Sequence, residues 1–148
     1  MRNHPWLATA TQWCASTIAN LDDTPNAYTL LFAIRFVDAA IQTSAVPASL
    51  LDTLGRHIPP DGVVPVRGGL EGEAIRPLDM APSANGATRR LFTPELIDRE
   101  LTRLANEQQA DGGWTVEFEP ASPAAALEWR AYTTVNTLQR LRSRTTPN

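Results

Sequence analysis

The sequence contains no lysine: all 13 of its positively charged residues are arginines. That removes Schiff-base chemistry and any lysine nucleophile from the mechanisms open to it. Cys14 is the single cysteine, so no internal disulfide forms. His4 and His57 are the only histidines, and no Ser-His-Asp order or Gly-rich phosphate loop accompanies them. No run of about 18 apolar residues is present, which excludes a membrane-spanning helix. Met1-Arg2-Asn3-His4-Pro5-Trp6 lacks the apolar stretch of a signal peptide, so the cytoplasm is the expected location. A net charge of −3 provides no electrostatic footprint for nucleic acid.

What is present reads as one globular domain over residues 1–148, with 43% hydrophobic and 20% charged residues. Every strongly periodic segment has helical spacing. The first helix follows Asn3-His4-Pro5, with Asn3 as N-cap, and should stop near Asn20. Trp6, Ala10, Trp13 and Thr17 form one stripe on it; Leu7, Cys14 and Ile18 form the next. The second opens at Thr24-Pro25, with Asp22 and Asp23 at its positive end, and runs to Thr43. Leu30, Ile34, Val37 and Ile41 mark one face and Tyr28, Phe32 and Phe36 another, so this helix should be buried nearly all round. A third runs from Pro47 to His57, ended by Pro59-Pro60-Asp61-Gly62.

The next thirty residues read as a long irregular loop, with Val63–Val66 extended and a turn or two of helix between Glu71 and Leu78. The fourth helix starts at Thr93-Pro94-Glu95, and its stripe of Ile97, Leu101 and Leu104 ends on Gln108. The fifth opens at Ser122-Pro123 and carries Leu127, Ala131, Val135 and Leu138 on one face. The Asp61-Gly62 and Asp111-Gly112 turns lie fifty residues apart, each after a helix, which suggests a repeat of helix, Asp-Gly turn, crossing segment and helix. The middle unit's second helix is replaced by the Gly- and Pro-rich segment.

Gln108-Gln109-Ala110-Asp111-Gly112-Gly113-Trp114 resembles the glutamine–tryptophan motif of the terpenoid cyclase and prenyltransferase α/α-toroid superfamily. Gln108, Asp111, Gly112, Gly113 and Trp114 fall on its positions and should be structural. Glycine permits the left-handed turn after a helix, and the indole packs over that turn while using its N–H. His4-Pro5-Trp6-Leu7, Gly69-Leu70-Glu71-Gly72-Glu73, Arg76-Pro77-Leu78-Asp79 and Leu127-Glu128-Trp129-Arg130 are similar to a group of bacterial toroid-like proteins without an assigned activity. The resemblance implies an all-α fold of helix-pair repeats in a partial α/α toroid, matching the C-terminal half of a complete ring. Such a half has an open edge, so a homodimer or a complementary toroid half is the expected partner.

Asn20-Leu21-Asp22-Asp23-Thr24 resembles the proton-donor motif of class II terpene cyclases, with Asp22 on the donor, Asp23 on the acid after it, and Asn20 where the first aspartate stands. An enzyme of that type protonates a polyene with a carboxyl held in a dry pocket and stabilises cations with aromatic faces. Tyr28, Phe32 and Phe36, with Trp129 and Tyr132, are the aromatics that could serve such an apolar or isoprenoid ligand. The plainer reading makes Asp22 and Asp23 helix-end acids and the aromatics core. Glu71, Glu73, Arg76 and Asp79 could bind a cation or a phosphate, or form local ion pairs in a solvated loop. Protein prenyltransferases hold zinc through aspartate, cysteine and histidine. Here Cys14 lies on an apolar helix face as a buried thiol would, so neither a metal nor another cofactor is expected. The leading functional expectation is a non-catalytic toroid-type domain binding a partner chain or apolar ligand; the alternative is the cyclase-type enzyme using Asp22.

Overall fold

Proline sets the start of four helices. In the computed structural model, which describes residues 4–116 and 118–142, Pro5, Pro77, Pro94 and Pro123 are each the first helical residue. A ring-locked φ suits that position, and the missing N–H would have no intrahelical partner there. The described residues form six α-helices: α1 (Pro5–Ala19), α2 (Ala27–Gln42), α3 (Ser49–Gly55), α4 (Pro77–Met80), α5 (Pro94–Asn106) and α6 (Pro123–Arg142). A 3-10 helix spans Ala87–Leu91. The only sheet among the described residues is a hairpin of β1 (Val64–Pro65) and β2 (Ala74–Ile75), antiparallel, with Val64 opposite Ile75. The fold is thus helical, as the periodicity indicates. None of its described helices is long and apolar enough to cross a membrane.

Helix α1 is capped by His4, whose Nδ1 accepts the Trp6 N–H at 3.2 Å; Asn3, the expected cap, lies outside the described residues. Only one of its two stripes meets the protein. Ile18 is buried and Cys14 partly so, whereas Trp6 and Trp13 are each 68% exposed. Helix α2 begins two residues later than Thr24-Pro25 implies, because Asn26 is the cap and accepts the Tyr28 N–H at 2.9 Å. Its buried face is Ala27, Leu30, Leu31, Ala33, Ile34, Val37 and Ala40. Tyr28 and Phe32 point outward, so this helix is buried on one broad face and not all round.

The largest apolar cluster forms where α2 packs on α3 and the two receive α1, the hairpin and the 3-10 helix. Ile34, Leu51 and Leu54 are completely enclosed there. Each such side chain contributes about 1.5–3 kcal/mol by leaving water. A smaller cluster, Leu78 with Leu101 and Leu104, joins α4 to α5, and Ile97 touches both clusters.

The turn of helix expected between Glu71 and Leu78 comes at the end of that stretch, as α4 at Pro77–Met80, with strand β2 before it. Its fold comes from a cap: the Arg76 N–H donates to Asp79 Oδ2 at 2.8 Å, and Pro77 then opens α4.

Two expected faces are reversed. Helix α5 ends at Asn106, so Gln108 has left the helix and is exposed, off the Ile97–Leu101–Leu104 stripe. On α6 the stripe of Leu127, Ala131, Val135 and Leu138 faces solvent, with Leu127 70% and Val135 54% exposed. The face turned inward carries Thr134, Thr137 and Leu141 instead. Polar bonds select it: Thr134 Oγ1 accepts the Trp114 N–H at 3.1 Å, Arg130 pairs with Asp111, and Arg140 Nη2 donates to Asp79 Oδ1 at 2.8 Å.

The two Asp-Gly turns are built alike. Gly62 and Gly112 both have positive φ, 76° and 84°. Each glycine N–H donates to the carbonyl three residues back, Pro59 or Gln109, at 2.8 Å. Each aspartate Oδ1 accepts the N–H two residues on, at 3.0 Å from Val63 and 3.1 Å from Gly113. The fifty-residue spacing in sequence thus corresponds to one turn geometry used twice.

Candidate functional site

A cleft of about 210 Å³ lies between α2, the hairpin, the segment after α5, and α6. It gathers five of the candidate binding residues: Tyr28, Glu73, Arg76, Asp79 and Tyr132. Tyr28 comes from the first turn of α2, Glu73 precedes β2, Arg76 and Asp79 are the capped start of α4, and Tyr132 sits midway along α6. Ile75, Leu104, Trp114, Val116 and Phe118 give it apolar walls.

The polar side of the cleft is charge-compensated. The Tyr28 hydroxyl donates to Glu73 Oε1, and Glu73 Oε2 accepts the Leu70 N–H at 2.9 Å. The Tyr28 bond, helped by Leu70, holds the Glu73 carboxyl below the usual carboxylate range and pushes the phenol up. Asp79 receives Arg140 on one oxygen and the Arg76 N–H on the other, and its carbonyl accepts Arg35. Glu100 is 4% exposed, with Arg103 at 3.2 Å and Arg76 at 3.9 Å. Arg103 also grips both oxygens of Glu107, at 2.9 and 2.8 Å.

Sequence reasoning missed Glu100, Arg103, Glu107 and Arg140. A signal for Glu100 was present: it lies three residues after Ile97 and four before Leu104, on the apolar face of α5. A carboxylate there must be paired or neutralised.

Other candidates fall elsewhere. Asp22 and Asp23 are exposed in the connection between α1 and α2, and neither lines the cleft. His57 Nδ1 lies 3.3 Å from the Asp23 carbonyl. Phe32 stacks beside Tyr28 with ring centroids 6.3 Å apart but is 61% exposed and outside the lining. Trp129 stands edge-to-face between Phe118 and Tyr132, at 5.5 and 5.7 Å, and is outside the lining. Glu71 is exposed in the hairpin turn. Among the described residues no group of three or more His, Cys, Asp or Glu side chains is arranged to hold a metal ion.

The glutamine–tryptophan segment borders the cleft and joins α5 to α6. Trp114 is 2% exposed, and its indole N–H donates to the Leu104 carbonyl at 2.6 Å. That carbonyl is one of the last four of α5, which have no intrahelical donor. Gln108 Nε2 donates to the Gly112 carbonyl at 3.0 Å, within its own turn. Asp111 accepts Arg130 Nη2 on both oxygens, at 2.5 and 2.6 Å, and that bond first, then the Gly113 N–H, holds its carboxyl below the usual range. No family model, curated protein or solved structure matches the chain.

Proposed function

We propose that the chain is a non-catalytic domain of α/α-toroid type that works by pairing with a second copy of itself. The observation that carries this reading is the apolar outer surface at both ends of the helix array. Helix α1 packs on α2 and α3, and α6 packs chiefly on α5, so each is a terminal member. A terminal helix of a self-sufficient array has a polar outer face. Here α1 turns out Trp6 and Trp13, and α6 turns out Leu127, Val135 and Leu138. In a two-fold dimer the α1 of each copy meets the α6 of the other, which covers both stripes at once and closes two half rings into one.

The cyclase-type alternative needs a carboxyl in a dry pocket, and the exposure of Asp22 supplies none. No observation favours it over the binding reading.

Light scattering across a dilution series tests the proposal. The expected result is a dimer that dissociates on dilution, and a monomer for Leu127→Glu/Val135→Glu with an unchanged circular dichroism spectrum. A monodisperse wild-type monomer at micromolar concentration that binds no apolar dye refutes it. A monomer that binds the dye redirects the apolar ends to a complementary toroid half.

A further inference from the structure

Helix α1 carries no charged residue along its length, although its outer face is exposed. The hydroxyls on that face are satisfied within the helix. Thr9 donates to the Pro5 carbonyl at 3.4 Å, Ser16 to the Gln12 carbonyl at 2.9 Å, and Thr17 to the Trp13 carbonyl at 3.0 Å. Such a face can give up its water without stranding these donors. Thr9, Ala10, Ser16 and Thr17 are the neighbours of Trp13 three and four positions away. All four are small, so the indole stands above the surface around it as an isolated knob.

The other end of the array has a shallow, open hollow of about 460 Å³ between α6 and the Gly112-Gly113 turn. Leu127 and Val135 wall it, and Ala131 and the two glycines place nothing bulky between them. Asp111 and Arg130 stand at its edge, with side chains 60% and 35% exposed. The guanidinium is held in place: Asp111 takes its Nη2 on both oxygens, and a Cβ on Gly113 would stand 2.7 Å from that same nitrogen. A fixed guanidinium attracts an aromatic face, and a carboxylate beside it accepts a ring N–H. An indole answers all three demands, with an apolar body, a π face and one N–H donor. The areas agree as well. Trp6, Trp13, Leu127, Val135 and Leu138 together expose roughly 600 Å² of side chain per copy. A standard interface takes about 800 Å² from each partner, a little over half of it non-polar.

We infer that Trp13 of one copy seats in the α6 hollow of the other, over Ala131, with Arg130 and Asp111 at the rim of the contact. This rests on the dimer reading and names the contact that specifies the dimer. Trp13→Ala removes the knob and Ala131→Phe fills the hole while keeping the stripe apolar. Both positions are exposed, so circular dichroism spectra should be unchanged. A two-fold dimer has two such sockets, and each variant spoils both. A central tryptophan contact is worth about 30-fold in affinity, so each variant alone should self-associate about 1,000-fold more weakly than the wild type. An equimolar mixture of the two variants keeps one intact socket, because Trp13 of the Ala131→Phe copy fits the hollow of the Trp13→Ala copy. Sedimentation equilibrium should therefore show the mixed dimer forming about 30-fold more tightly than either variant alone. An Ala131→Phe chain that dimerises as tightly as the wild type overturns the inference, as does a mixture that associates no better than its components. A wild-type dimer leaves the dimer reading standing in both cases, whereas a wild-type monomer overturns the two together.

Discussion

The repeated Asp-Gly turn offers a comparison in which backbone strain is held constant while the surroundings change. Gly62 and Gly112 have nearly the same positive φ, so alanine at either position incurs the left-handed penalty of about 1–2 kcal/mol. Part of that is offset by the reduced freedom of the unfolded chain, about 0.4–1 kcal/mol. The surroundings differ. A Cβ on Gly62 would stand 2.7 Å from Pro77 Cγ and 2.9 Å from Leu96 Cδ2, both closer than real Cβ contacts. A Cβ on Gly112 would meet only Gln108 Nε2, at 3.9 Å. Overpacking of the first kind costs a further 1–3 kcal/mol, roughly. Gly62→Ala should therefore lose about 2–4 kcal/mol and Gly112→Ala about 1 kcal/mol or less. Urea unfolding reads the difference: with a slope of about 1–3 kcal/mol per molar, the Gly62→Ala midpoint should fall by about 1 M or more and the Gly112→Ala midpoint by far less. Equal shifts, or a larger one at Gly112, would refute the claim that the ring of Pro77 and the side chain of Leu96 close over Gly62.

Two further substitutions probe the α5–α6 joint. Trp114→Ala should cost about 3–5 kcal/mol, and Trp114→Phe about 1–3 kcal/mol because the Leu104 carbonyl loses its indole donor; an unchanged thermal midpoint for the alanine variant would refute the indole's structural role. The Asp111–Arg130 pair should show its sign with pH. A carboxyl held low in the folded state adds stability above the ordinary carboxylate range, and that stability is lost as pH falls through the folded value. The gap between wild type and Arg130→Ala in thermal midpoint should close on acidification, by a modest amount since both groups are solvent-accessible, and a gap that widens would be inconsistent with the pair.

Features written in local chemistry were legible in the sequence. Thr93 caps α5, accepting the Leu96 N–H at 3.3 Å, and Pro94 and Pro123 begin their helices. The Asp-Gly turns could be read because glycine and a short acid serve that geometry directly. The 3-10 helix was not, and of the hairpin only the extended stretch at Val63–Val66 was, since two-residue strands have no periodicity; the Val66 N–H to Glu73 carbonyl bond that extends the ladder spans seven residues with two glycines at positive φ. Facing was the larger difficulty. Periodicity tells which residues of α6 share a side, but not that its threonine side turns inward to meet Trp114. Nor could the cleft be assembled from spacing, because Tyr28 and Glu73 are 45 positions apart and Asp79 and Arg140 are 61 apart.

The way α6 is attached also determines how it comes off. Its inward face is fastened by directional bonds at Thr134, Arg130 and Arg140, with Leu141 as its main apolar contact. Detaching such a helix exposes little apolar surface beyond Trp114 and its neighbours, so the opening has a small heat-capacity change and a weak dependence on denaturant. In the dissociated monomer α6 should therefore open more readily than the α2–α3 core, its amide hydrogens exchanging with solvent earlier than those around Ile34 and Leu54.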